Sequence, residues 1–175
     1  DFQEEMIKLI HDERYTIITC ARQVGKTTCM MAYMAWYSIF HEKKNVVILA
    51  NKGSTAFGIM RKFKEIYENI PQWMQQGVVE WNKSSVQFEN GTLVYTAATS
   101  ENAVRGDTIS LCMIDEAAFV DDGLWQPFWD ATLPTISSGE TTKLVLISTP
   151  RGMNHFYDFY TKAHKPPKAG SNQKT

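Results

Sequence analysis

The segment YTIITCARQVGKTT, residues 15–28, constrains this chain more than any other. A short β-branched apolar run is followed by a loop ending in Gly25-Lys26-Thr27, and then by apolar residues at helical spacing. That is the strand–loop–helix context a phosphate-binding loop requires. In it, successive backbone N–H groups point at phosphate oxygens, and the positive end of the following helix adds to the attraction. Lys26 would reach the β and γ phosphates of a nucleotide, and Thr27 would place its hydroxyl on Mg²⁺. Gln23, Gly25 and Thr28 complete the expected contacts to ATP. The loop departs from the usual pattern twice: Cys20 stands where a first glycine is expected, and Arg22 lies inside the loop. Cys20 can still close the strand, because the phosphate cradle depends chiefly on the residues nearest Gly25 and Lys26.

A second segment, CMIDEA, supplies the acids. An apolar strand ending in Asp115 provides the carboxylate that holds the hydration shell of Mg²⁺. The next residue, Glu116, would orient and deprotonate the attacking water, a contribution of about 10²–10⁴ in rate. Alone, such an Asp-Glu pair reads equally well as a solvated strand end. Following a phosphate-binding loop, it points to ATP hydrolysis, and Glu116 marks a hydrolase rather than a kinase. An arginine lodged in the loop could set a bidentate positive charge against the transition state, worth about 10³–10⁵ in turnover. The alternative for Arg22 is a side chain directed to solvent.

The remaining pattern is α/β. After an amphipathic start, QEEMIKLIHDE, the sequence predicts a strand over residues 15–20, a helix from Lys26 to Phe40 and a buried strand, VVILA, at 46–50. A helix from Ser54 follows, with Phe57, Met60, Phe63, Ile66, Tyr67 and Ile70 at helical period. Its outer face, Arg61, Lys62, Lys64 and Glu65, reads as a solvated surface, with contact to DNA as the alternative. VVEW and SVQFENGTLVYTA alternate with period two around Asn90-Gly91 and predict an antiparallel hairpin insertion. Then come the strand at 111–119 with its two acids, a helix around Leu124–Leu133, the strand KLVLIS at 143–148 and a helix from about Met153 to Lys162. The fold class is a mostly parallel RecA-like P-loop sheet flanked by helices.

Composition excludes several classes. Three cysteines without CxxC spacing favour a reduced intracellular protein over a disulfide scaffold. The longest apolar stretch, CMMAYMAWYSIF, is too short to cross a bilayer, so no membrane partner is expected. A net charge of −1 gives no global basic field, so any DNA contact must be local. His11, His41, His155 and His164 form no ligand spacing. A start at Asp1 and a polar end, HKPPKAGSNQKT, suggest a piece of a longer polypeptide: a core over residues 1–163 and a tail or linker over 164–175.

CARQVGKTT, VEWNKSSVQFENGT, AVRGDTI, MIDEAAF and STPRGMNHFYDFY, in that order along essentially the whole chain, resemble the N-terminal ATPase domain of the large terminase subunit of tailed bacteriophages, T4-like type. The resemblance implies a motor that uses ATP to move double-stranded DNA into a capsid. Its implied partners are the capsid portal protein and the small terminase subunit, its implied form a homo-oligomeric ring, and its implied location the host cytoplasm at the procapsid portal. The family's C-terminal nuclease domain has no counterpart in these residues. Arg22 takes the family's position for an arginine finger acting in cis, and Arg105 in VRGD is the competing finger, reaching a neighbour's site. Gln3 resembles an adenine-reading glutamine. Ser148 and Thr149 match the family's coupling motif, whereas Ile147 stands where members often carry a third small polar residue. Two other readings stay open. A DExx-box helicase core shares the DEAA and STP segments but would bring a second RecA-like domain. A nucleotide-dependent assembly module would bind without turnover, against which Glu116 speaks.

Overall fold

The computed structural model describes residues 1–100, 103–104, 108–137, 139 and 141–164. Among these residues five α-helices and seven strands follow in the order α1 (Phe2–Asp12), β1 (Tyr15–Thr19), α2 (Lys26–Phe40), β2 (Asn45–Ala50), α3 (Gly53–Glu68), β3 (Val78–Trp81), β4 (Ser85–Phe88), β5 (Leu93–Ala98), β6 (Leu111–Asp115), α4 (Asp122–Ser137), β7 (Lys143–Ser148) and α5 (His155–Ala163). All seven strands form one sheet in the order β1-β7-β6-β2-β5-β4-β3. From β1 to β5 every pairing is parallel, and β4 and β3 continue it antiparallel. The α/β fold class read from the sequence is borne out.

The parallel strands are apolar on both faces because both are covered. Side chains alternate across the sheet. Val46, Ile48 and Ala50 of β2 join Met30, Met31 and Met34 of α2, Met60 and Phe63 of α3, and Met6 and Ile10 of α1. Val47 and Leu49 join Trp125, Phe128 and Ile136 of α4 and Phe156 of α5 on the other face. Met30, Met31, Tyr33, Met34 and Tyr37 of the run after the loop are therefore core packing, whereas Trp36 and Phe40 are exposed.

Strand register aligns the carboxyl ends. Thr19 lies opposite Ser148, Ile147 opposite Asp115, and Asp115 opposite Ala50. The carboxyl ends of β1, β7, β6 and β2 thus form one continuous rim, the usual place for a ligand in an open parallel sheet.

Three elements differ most from the expected bounds. The strand expected over 111–119 ends at Asp115, because Glu116 turns left-handed and Ala117–Phe119 coil into a single 3-10 turn. The fourth helix runs Asp122–Ser137, longer than Leu124–Leu133, and carries Pro127 and Pro134 inside it. Proline ordinarily stops a helical pattern; here buried Trp125, Phe128, Thr132 and Ile136 hold one face against the sheet through both. The third helix ends at Glu68 rather than reaching Ile70. Asn69 turns its amide back to donate to the Glu65 carbonyl at 2.7 Å, and Pro71 follows.

Candidate active site

The loop between β1 and α2 is built by backbone geometry that the sequence supplies at two points. Gly25 caps α2 at φ +82°, and a Cβ there would lie 2.7 Å from the Gln3 amide nitrogen. Gln23 adopts φ +61°, a left-handed conformation uncommon outside glycine. Cys20 is buried in the core, so the residue that replaces the usual glycine acts as a small hydrophobe ending β1, and burial raises its thiol pKa.

Beside the loop the acids converge on Lys26 and Thr27. Lys26 Nζ lies 2.5 Å from Glu116 Oε1, and its side chain is 9% exposed against 28% for the glutamate. Thr27 Oγ1 donates to Asp115 Oδ2 at 3.4 Å. Asp115 Oδ1 accepts from the Glu116 backbone N–H at 3.0 Å. Burial raises the Asp115 pKa above the ordinary carboxylate range; Lys26 opposes the rise and Glu116 adds to it.

Glu116 is held at φ +53°, ψ +42°. Such a left-handed residue costs about 1–2 kcal/mol without glycine, and it persists because the next turn is anchored from three sides. Ala118 N–H donates to Ser148 Oγ at 3.1 Å, Asn154 Nδ2 donates to the Ala118 carbonyl at 2.7 Å, and His155 Nε2 lies 2.8 Å from the Ala117 carbonyl. The kink swings the Glu116 carboxylate off the strand axis towards Lys26. Thr149 Oγ1 donates to its second oxygen, Oε2, at 3.3 Å.

A cleft of about 560 Å³ opens over these groups, lined by Arg22, Gln23, Gly25, Lys26, Thr27, Thr28 and Glu116 of the expected set. Arg22 is exposed, with its guanidinium 5.9 Å from the centre of the Phe119 ring, and Arg151 approaches the same ring at 5.1 Å. Asp115 lies beneath the cleft rather than in its lining. Ser148 is fully buried behind the Glu116 turn, and of the two hydroxyls only that of Thr149 reaches the glutamate. Gln3 packs on the loop from outside, its amide donating to the Val24 carbonyl at 3.2 Å. Arg105 lies outside the described residues.

Four lining residues escaped sequence reading: Asn51, Thr55, Lys62 and Phe119. Lys62 was expected on a solvated face. Only the strand order, which sets β2 beside β6, shows that one flank of α3 faces the loop.

The oxygen donors Thr27 Oγ1 and Asp115 Oδ2 suit a hard divalent cation such as Mg²⁺. Among the described residues, no cluster of three or more His, Cys, Asp or Glu is placed to hold a metal by itself.

Comparison with known proteins agrees with this geometry. The family described as "Terminase large subunit, T4likevirus-type, N-terminal" matches residues 17–174. The large terminase subunit of Thermus phage G20c is 32% identical over 83 residues, covering 44% of this chain and 16% of that protein. The crystal structure of the HK97 bacteriophage large terminase superposes with a TM-score of 0.73 at 18% identity, over 93% of this chain and 36% of that one. The large terminase of a thermophilic bacteriophage, solved in complex with ATP-γ-S, gives a TM-score of 0.61 at 16% identity, over 90% and 39%. The chain spans about one sixth of the length of the curated relatives it matches. With a family model that matches residues 17–174, nearly the whole chain, the chain belongs to the N-terminal family of T4-like-type terminase large subunits.

Proposed function

We propose that this chain is an ATP-hydrolysing motor domain that drives double-stranded viral DNA into a capsid. The observation that carries the reading is the convergence of Lys26, Thr27 and Glu116 on one cleft at the carboxyl rim of the sheet, with buried Asp115 bonded to Thr27.

In their ion pair, Lys26 and Glu116 neutralise each other. Phosphates on the loop N–H groups would draw the Lys26 ammonium away, leaving the Glu116 carboxylate as an acceptor for a water proton. The pairing therefore keeps the base occupied until substrate arrives. Thr27 and Asp115 would hold Mg²⁺, which when bound neutralises phosphate charge. Arg22, resting against Phe119 at the cleft, is placed to turn its guanidinium onto the γ phosphate. Gln3, tied to the loop at Val24, would meet the base from the far side. Loss of the terminal phosphate would be felt through Thr149 on the Glu116 carboxylate and through Ser148 on the turn that aims it. Duplex DNA, the portal protein, the small terminase subunit and neighbouring copies in a ring are the partners this reading carries.

The test is ATP turnover by the chain with and without blunt duplex DNA, with Glu116→Gln as the comparison. Turnover should fall by at least about 10²-fold in the variant while ATP binding persists. Turnover unaffected by Glu116→Gln would overturn the assignment of the base, and unwinding of a forked duplex would favour a helicase.

A further inference from the structure

We propose that Lys62 is a third phosphate-binding cation of the nucleotide cleft, contacting the terminal phosphate and so distinguishing a nucleoside triphosphate from a diphosphate. The inference rests on the nucleotide reading above and adds to it a residue on a different element.

Helix α3 carries three distinct stripes. Ala56, Ile59, Met60, Phe63 and Tyr67 are buried in the core. Ser54, Phe57, Gly58, Arg61 and Lys64 line a separate outer groove with Lys83. Thr55 and Lys62, seven residues apart and hence on one face, line the nucleotide cleft with Asn51 from the end of β2. Seven residues advance about 10 Å along a helix, and a helical side chain leans towards the helix N-terminus. The Lys62 ammonium therefore leans back along this face towards Thr55 and the rim where Glu116 sits.

Its surroundings suit an anion. Lys62 is half-buried, unlike its exposed neighbour Arg61. Among the described residues it makes no hydrogen bond or ion pair, whereas Lys26 is bonded to Glu116 and Lys64 donates to the Asn82 carbonyl at 2.7 Å. A half-buried ammonium facing a cleft without a carboxylate of its own is a charge awaiting a partner.

Strand order fixes which phosphate it meets. The loop follows β1 at one edge of the sheet, Glu116 follows β6, and α3 follows β2 beyond it. Gln3 touches the loop at Val24 from α1, which packs beside β1, whereas α3 packs over β2 and β5. A nucleotide with its base near Gln3 and its inner phosphates on the loop points its last phosphate at Glu116 and α3. The diphosphate lacks the group Lys62 would hold.

Equilibrium binding of ADP and of a slowly hydrolysed ATP analogue to the full chain, its Lys62→Gln and Lys62→Arg variants and Lys26→Ala tests the assignment. Lys62→Gln should weaken the triphosphate by about tenfold or more, the effect of one charge-assisted hydrogen bond, and change ADP affinity by less than about twofold. Lys62→Arg should restore most of the difference. Equal losses for both nucleotides would assign Lys62 a structural role, and no loss for either would leave it a solvent-facing lysine; each overturns the proposal while the nucleotide reading stands. A parent chain that binds neither nucleotide removes both together.

Discussion

At the residue scale, burial sets the metal-holding role proposed for Asp115 against stability. Burial raises its pKa, so the native state keeps the proton to a higher pH than the unfolded chain does. Between the unfolded value, about 3.9, and the raised native one, the folded state binds more protons. Its contribution to stability therefore declines as pH rises through that window and is fully unfavourable above it. Asp115→Asn removes the titration while keeping an oxygen for the Glu116 N–H. The variant should melt above the parent at pH 7, by about 1 kcal/mol or roughly 2–4 °C, with the gap closing as pH is lowered through the window, and should lose turnover. Thermal melts across pH check this; a variant that melts below the parent at pH 7 would mean that the carboxylate's bonds outweigh its burial. The acids, the loop and Arg22 were legible in the sequence because each lies at a strand end or in a loop, where motif and position coincide. Lys62 was not. It sits between Arg61 and Lys64, the same kind of residue in the same helix, and its difference comes from which flank of α3 faces the rim.

At the element scale, hydrophobic period predicted the strands and helices, and Asn90-Gly91 predicted the hairpin. Gly91 does turn the chain at φ +80° between β4 and β5. Local pattern offers no reason for the neighbouring asparagine beyond the turn itself, and the structure does. The Asn90 amide donates to the Ser38 carbonyl at 2.9 Å and to the His41 carbonyl at 3.2 Å, while Thr92 Oγ1 donates to the His41 carbonyl at 2.7 Å. The hairpin tip thus supplies the donors that the last turn of α2 lacks. Such a contact joins residues that are distant in the chain and leaves no trace in local period. Asn90→Ala should cost about 2 kcal/mol, or roughly 4–8 °C in melting midpoint. Nucleotide affinity should stay unchanged, because the phosphate loop is at the opposite end of a helix about 22 Å long. Melting and ATP-analogue binding on the same sample separate the two effects; a parallel loss of affinity would show that α2 transmits the damage to its N-terminus.

At the scale of the whole molecule, the decisive feature is that β7 lies between β1 and β6. That order brings Thr149 to the same rim as the loop and the acids, and sets the Ser148 hydroxyl behind the turn that aims Glu116. Alternating strands and helices in the sequence implied a parallel sheet but not this order, since several permutations obey the same crossover rules. The arrangement bears on whether one chain suffices for hydrolysis. Lys26, Lys62, Arg22 and Glu116 all reach the cleft from a single copy. Turnover per chain should therefore be flat across a wide range of chain concentration. Arg22→Ala should lower it by about 10³-fold or more with ATP-analogue affinity largely kept, since a finger acts on the transition state more than on the bound substrate. Steady-state rates measured from dilute to concentrated chain, with Glu116→Gln as the blank, decide the matter. A rate that climbs with concentration, tolerates Arg22→Ala and is lost in Arg105→Ala would transfer the finger to a neighbouring copy. The proposed ring would then be a condition of the chemistry as well as of the proposed motion.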